Sequence, residues 1–164
     1  MCKNNNKSLY IFRMKIQEWG NATWYLFHTL SYKLNVSDSE HAKDLLNVFV
    51  GICDNLPCPI CRKDAVMMLK GANKNLVTTK SDLSRFMWQF HNLVNKKLGK
   101  PEITFDVHNA KYEKANTNNV IAHYIRVMSK KMRNMNAMAD TMTQQQNVQS
   151  FIIYMRNNIH RFNA

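Results

Sequence analysis

The stretch most able to do chemistry is Leu56-Pro57-Cys58-Pro59-Ile60-Cys61. Thiols at i and i+3 share a helix face, and their Cα separation suits a disulfide. Pro59 fits the first helical position, where its missing N–H costs nothing. Cys58 then falls near the N-cap and Cys61 in the first turn. The unpaired N–H groups and dipole of a helix start favour a thiolate there. The spacing predicts a pair that can shuttle between dithiol and disulfide, on a helix running through Leu69-Lys70 to Gly71. Three of the four cysteines, Cys53, Cys58 and Cys61, lie within nine positions, which points to redox chemistry or metal rather than a disulfide scaffold. Cys53 reads first as a small core residue and second as a redox partner of the pair. Cys2, at the polar N-terminus, reads as a spectator before a single-thiol shuttle. A zinc centre of Cys53, Cys58, Cys61 and a histidine is the alternative chemistry.

Helices must position these groups. Only four Gly and three Pro in 164 residues predict an all-α protein. Residues 1–13 read as a loose basic arm. From Met14 to Leu34, Trp19, Thr23, Leu26 and Leu30 make one stripe and Gly20, Trp24 and His28 a second. The second stripe can accept a flat ring against the backbone, or it is simply core. Ser37-x-x-Glu40 reads as a capping box opening a second helix through Leu45, Leu46, Phe49, Val50 and Cys53. Thr79 or Ser81 can cap a fourth helix, from Leu83 to about Leu98, with Leu83, Met87, Phe90 and Val94 as its core face. Trp88, His91, Asn92 and Asn95 share another face. Two Asn beside a His suit a core poorly, so that face predicts a partner rich in hydrogen-bonding atoms. Ile103-Thr104-Phe105 reads as briefly extended.

Past Asn116, Val120, Tyr124, Val127, Met128 and Met135 predict a basic amphipathic helix. Residues 136–147 show little pattern. Val148, Phe151, Ile152, Met155 and Ile159 make a last stripe. These elements are expected to pack on the body or on a sister chain, and their removal is expected to leave the site intact.

An apolar fraction of 45% is enough for a core, which argues against a disordered chain. No apolar run approaches the roughly 20 residues of a membrane span. The opening residues lead into no signal-peptide core, so secretion by that route is not expected. The net charge is +12, half of it on the last third of the chain. It suits an acidic partner, nucleic acid or an anionic cofactor, or only a solubilising surface. A basic nucleic-acid-binding protein is therefore a further alternative, although no recognition helix with clustered Arg stands out.

Three segments together resemble the Erv/ALR family of FAD-dependent sulfhydryl oxidases. Trp19-Gly20-Asn21-Ala22-Thr23-Trp24-Tyr25-Leu26-Phe27-His28 is similar to the family's Gly-x-x-x-Trp-x-x-x-His helix. Cys58-Pro59-Ile60-Cys61 follows, with Asp64 three residues on. Trp88-Gln89-Phe90-His91-Asn92-Leu93-Val94-Asn95-Lys96-Lys97-Leu98-Gly99-Lys100-Pro101 resembles the signature His-Asn-x-Val-Asn-x-x-Leu-Gly-Lys-Pro. Lys111-Tyr112 lies where many members have a basic residue and an aromatic. The resemblance covers about residues 14–112.

It implies a four-helix bundle plus a short fifth helix around FAD, over residues 14–115, with residues 116–164 a helical extension of unknown role. It implies Cys58 and Cys61 as the catalytic pair, Cys58 taking the substrate thiolate and Cys61 facing the flavin. Gly20, Trp24, His28, His91, Asn92, Asn95, Lys100 and Tyr112 fall to the flavin site, together with Asn21, Trp88, Val94, Lys97, Leu98 and Lys111. FAD is a large, flat dianion and wants aromatic walls, polar donors and cations for its pyrophosphate. The implied reaction takes protein dithiols, directly or through a thioredoxin-like or small dithiol relay protein, and passes their electrons to dioxygen, giving hydrogen peroxide. A homodimer is implied. Phe105 stands where cellular members carry a cysteine that ties the fifth helix down. With a single CxxC, the chain looks most like members from large double-stranded DNA viruses. That implies disulfide formation in virion proteins and a place in the host cytoplasm and virion, with the mitochondrial intermembrane space as the alternative.

Overall fold

The computed structural model describes the backbone of residues 4–35, 39–132 and 138–164, and the side chains of residues 16–35, 40–130 and 142–164. Seven α-helices follow one another among the described residues: α1 (Asn4–Lys33), α2 (Ser39–Cys53), α3 (Pro59–Gly71), α4 (Lys80–Lys97), α5 (Phe105–Glu113), α6 (Thr117–Met132) and α7 (Met138–Asn158). Short 3₁₀ turns occupy Lys74–Leu76 and Ile159–Arg161. The all-α reading holds. None of these helices is long and apolar enough to cross a membrane.

α1 is the axis. It packs against α2, α4, α5 and α6, so Leu26, Phe27, His28, Thr29, Leu30 and Ser31 are all buried, on every side of the helix. Two of the buried hydroxyls of α1 are satisfied by the helix itself: Thr23 Oγ1 donates to the Trp19 carbonyl and Ser31 Oγ to the Phe27 carbonyl, each four residues back. The helix begins at Asn4, where the sequence reads residues 1–13 as a loose arm. No Gly or Pro lies between Asn4 and Glu18 to stop it. Cys2 and the Ser37 cap lie outside the described residues.

Three local devices set the elements that carry the site. Cys58 is the N-cap of α3 and Pro59 its first residue, with Cys61 N–H donating to Cys58 Sγ at 3.2 Å. Thr79, rather than Ser81, caps α4 in a reciprocal box with Asp82. α4 ends in a Schellman turn: Lys100 N–H reaches the Asn95 carbonyl and Gly99 N–H the Lys96 carbonyl. Gly99 has φ +66°, a left-handed conformation that glycine adopts without a Cβ penalty.

Phe105 opens α5 instead of ending an extended segment. Its ring packs edge-on against Trp88 at 5.4 Å, under the Arg85 guanidinium at 4.7 Å. These contacts hold α5 at the position where the resemblance implies a lost cysteine.

α6 and α7 pack onto the bundle. Val120, Tyr124, Val127 and Met128 of α6 are buried, as are Val148, Phe151 and Met155 of α7. α7 starts at Met138, within the stretch whose sequence shows no pattern. Met135 lies outside the described residues. Ile159 has left the apolar stripe: α7 stops one residue earlier, and Ile159 opens a 3₁₀ turn with its side chain exposed. The chain then returns to the end of α1, where Asn35 N–H donates to the Arg161 carbonyl and Asn163 N–H to the Lys33 carbonyl, both at 2.8 Å.

Candidate functional site

Cys58 and Cys61 form a disulfide, with Cα atoms 5.2 Å apart. The two are not equivalent. Cys58 is 5% exposed, whereas Cys61 is half-buried and lines a cavity of about 800 Å³. That cavity lies between α1, α3 and α4 and is walled by Trp19, Gly20, Trp24, Phe27, Phe90 and Val94. A Cβ at Gly20 would meet no protein atom within 4 Å, so the glycine keeps the wall open. A second cavity of about 380 Å³ adjoins the first. The two share Asn21, Trp24, Val94, Leu98 and Lys100. The second adds the aromatic rings of Tyr25 and Tyr112, the polar groups of His91 and Asn95, and Lys111. Both volumes are of the size at which small molecules and cofactors bind, about 300–1,000 Å³.

Aromatic packing fixes the wall between the cavities. Trp24 lies flat on His91, with centroids 4.0 Å apart and planes 4° apart. Behind them runs a row of hydrogen-bonded imidazoles: His91 Nδ1 to His28 Nε2 at 2.8 Å, then His28 Nδ1 to His108 Nε2 at 2.7 Å. Burial holds His28 well below its ordinary pKa, with His108, His91 and Lys111 adding to the effect. Burial likewise pushes His91 down to about 4, helped by His108, Lys111 and Lys100. His108 is lowered for the same first reason. Burial raises the Tyr112 phenol and pushes the Cys53 thiol up to about 12. The imidazoles are therefore neutral, and cationic charge at the cavities belongs to lysines. Lys97 is neutralised by Asp64 of α3 at 2.5 Å. Lys100 and Lys111 make no ion pair among the described residues.

Of the candidates read from sequence, Gly20, Asn21, Trp24, His91, Val94, Asn95, Lys97, Leu98, Lys100, Lys111 and Tyr112 line one or both cavities. His28 stands one layer behind them. Trp88 and Asn92 line neither. The Asn92 amide both donates to and accepts from the backbone of Ile103, and Trp88 Nε1 donates to the same carbonyl at 2.6 Å. Their polar atoms pin the segment that leads into α5. The polar partner that this helix face calls for is in part the chain's own backbone. The cysteines read as zinc ligands do not gather: Cys58 and Cys61 are bonded to each other, and among the described residues no group of three or more His, Cys, Asp or Glu is placed to hold a metal ion.

Three site residues escape the sequence reading. Tyr25 and His123 line the smaller cavity, and His108 completes the imidazole row. Tyr25 sits beside Trp24 and was within reach of the motif. His108 and His123 carry no local signal. His123 comes from α6, so the C-terminal extension is part of the cavity wall.

The profile of the Erv1/Alr family matches residues 21–115, more than half of the chain. The yeast mitochondrial FAD-linked sulfhydryl oxidase ERV1 is 30% identical over 88 residues, covering 53% of this chain and 46% of the yeast protein. A putative FAD-linked sulfhydryl oxidase of invertebrate iridescent virus 3 is 32% identical over 87 residues, covering 52% of this chain and 59% of the viral protein. The chain thus spans about half the length of these relatives. The crystal structure of the yeast Erv1 core superposes with a TM-score of 0.53 at 25% identity, covering 62% of this chain and 86% of that one.

Proposed function

The chain belongs to the Erv1/Alr family, and from that premise we propose that it is a FAD-linked sulfhydryl oxidase that makes disulfides in protein thiols and delivers the electrons to dioxygen, with release of hydrogen peroxide. One observation carries the reading: the Cys58–Cys61 disulfide borders, through Cys61, a cavity that adjoins one walled by Tyr25, Tyr112 and two lysines that make no ion pair among the described residues. These residues fit FAD. The open Cβ position of Gly20 leaves room for a flat ring. The redox half of FAD would have to come within reach of Cys61, which lines the larger cavity. Lys100, on the shared wall, and Lys111 would meet the charge of the pyrophosphate. FAD, when bound, supplies the two-electron acceptor and the handover to dioxygen.

The protein's own part is thiol exchange and orientation. A substrate thiolate attacks Cys58 Sγ, the Cys58–Cys61 bond breaks, and Cys61 leaves as a thiolate facing the cavity. A second substrate thiolate then attacks the mixed disulfide. The substrate departs oxidised, and Cys58 is released as a thiolate at the start of α3, where helix N–H groups and dipole stabilise the charge. Because Cys58 is nearly covered, the substrate must engage the adjoining turn, whose Ile60 is 72% exposed.

Protein dithiols, reached directly or through a thioredoxin-like or small dithiol relay, are the substrate class of this reading, and the active form is a homodimer. With a viral source, as the iridescent-virus relative has, the reading puts the protein in the host cytoplasm and virion; co-fractionation with mitochondria would favour the intermembrane space instead. The direct test is the visible spectrum of the purified protein before and after dithiothreitol in air. A flavin band that bleaches and recovers with peroxide release is expected. A colourless protein that takes up no added FAD overturns the reading.

A further inference from the structure

A hydrogen-bonded row runs from the smaller cavity through the core: His91, His28, His108, Asn109. His28 is fully buried and His108 is 4% exposed, so bulk water does not serve the inner ring nitrogens. A neutral imidazole has one N–H and one bare nitrogen. Three in series must therefore all donate the same way, and the row has two states. In one, every ring donates away from the cavity, the last N–H goes to Asn109 Oδ1, and His91 is left with a bare Nε2. In the other, Asn109 donates its amide N–H inward, and His91 Nε2 carries the proton.

Two observations select the first state. His108 Nδ1 faces Asn109 Oδ1, an acceptor, at 3.1 Å. A cation also stands at the cavity end: Lys100, which lines the smaller cavity, acts on His91 alone of the three rings, whereas Lys111 acts on all of them. The state whose N–H groups point away from that charge is favoured electrostatically.

We propose that His108 and Asn109 are positioning residues that fix the polarity of His91, so that the smaller cavity offers a hydrogen-bond acceptor to the exocyclic amine of the cofactor's nucleobase. The inference rests on the FAD reading above. With the redox half drawn to Cys61 in the larger cavity, the nucleotide half falls to the cavity that His91 lines. An adenine presents an amine to a bare Nε2. A hypoxanthine presents a carbonyl there and leaves two acceptors facing each other.

The test uses the full chain with ¹⁵N-labelled histidine, with and without FAD. Long-range ¹H–¹⁵N correlation is expected to show His91 with a protonated Nδ1 and a bare Nε2. Binding is expected to favour FAD over its hypoxanthine analogue by about tenfold or more, the scale of one mismatched buried hydrogen bond. His108→Phe is expected to mix the His91 tautomers and cut the preference to about twofold, by the same loss. Asn109→Asp, whose carboxylate can only accept, is expected to keep both properties, and Asn109→Leu to lose them. The Asn109 pair decides the matter from a half-buried position should His108→Phe not fold. A protonated Nε2 in the unaltered protein, or an undiminished preference in Asn109→Leu, overturns the proposal while leaving the oxidase reading standing. A protein that takes up neither dinucleotide overturns both.

Discussion

Leu34, just past the end of α1, pairs with Phe162 in an antiparallel bridge. Thr117 Oγ1 donates to the Asn163 carbonyl beside it, so the end of the chain is fastened to both the first helix and the start of α6. The described parts of the C-terminal extension, α6 and α7, are thus built into the bundle. Deleting residues 117–164 is expected to expose the apolar surface under Val120, Tyr124 and Met128 and to give an aggregating or strongly destabilised protein. Tyr124→Ala alone should cost about 3–5 kcal/mol, as large-to-small changes in a packed core do. A truncated protein that melts at the full-length temperature contradicts this.

Replacing either member of the disulfide separates chemistry from binding. Cys58→Ser and Cys61→Ser are each expected to reduce dithiol oxidation to background while FAD stays bound, because neither change touches the lysines or rings of the smaller cavity. Normal turnover by either variant would remove the pair from the mechanism.

The three cavity lysines are not alike. Lys97 is compensated by Asp64, in a pair whose side chains are 47% and 25% exposed, worth about 1 kcal/mol at most. Lys97→Ala should change FAD affinity and stability little. Lys100→Ala and Lys111→Ala each remove a cation that makes no ion pair among the described residues and should weaken FAD by about tenfold or more, on the scale of a hydrogen bond to a charged group. Their binding should also depend less on salt than that of the unaltered protein. Equal losses at all three positions would refute the distinction.

Acid should unfold the protein through its buried histidines. The folded-state pKa of His91 is lowered to about 4, and those of His28 and His108 are also lowered. Between the unfolded value of about 6.5 and the folded values, the unfolded chain binds more protons. Stability is therefore complete above about pH 6.5 and falls as pH drops toward 4, by up to about 1.4 kcal/mol per pH unit for each histidine involved. Lys100 and Lys111, which act on His91, deepen the effect. Thermal melts from pH 7.5 to 4.5 check the sign. A melting temperature that rises on acidification would contradict it.

Cys53 should behave as an inert thiol. It is 2% exposed, and burial, with Asp54 adding, pushes its thiol up to about 12. Thiolate is the reactive form. Native protein treated with iodoacetamide should leave Cys53 unmodified, whereas denatured protein should label it fully. Rapid native labelling would assign it a redox role.

How much was legible in advance differs from residue to residue. The start of α3 was readable because a cap, a proline at the first position and a pair of thiols act within four residues. The turn through Leu98-Gly99-Lys100 was readable for the same reason, since a left-handed glycine ends a helix by local geometry alone. The period of α4 put Trp88, His91, Asn92 and Asn95 on one face, but it did not say what that face would meet. Asn92 and Trp88 turned out to bond the backbone of Ile103, and only His91 and Asn95 reached the cavity.

By itself the sequence determined most of the helices, the redox pair at the head of one of them and the face that needs polar partners, because periodicity, caps and turn chemistry are short-range. It did not place the start of α1 or α7, nor the opening of α5. Only the tertiary structure decided that His108 meets His28, 80 residues away, that His123 from the extension walls the cavity, and that Lys97 is paired while Lys100 and Lys111 make no ion pair among the described residues. Those facts depend on which helices lie side by side. Burial of apolar stripes sets that packing, and a stripe fits many neighbours equally well until the whole core is assembled.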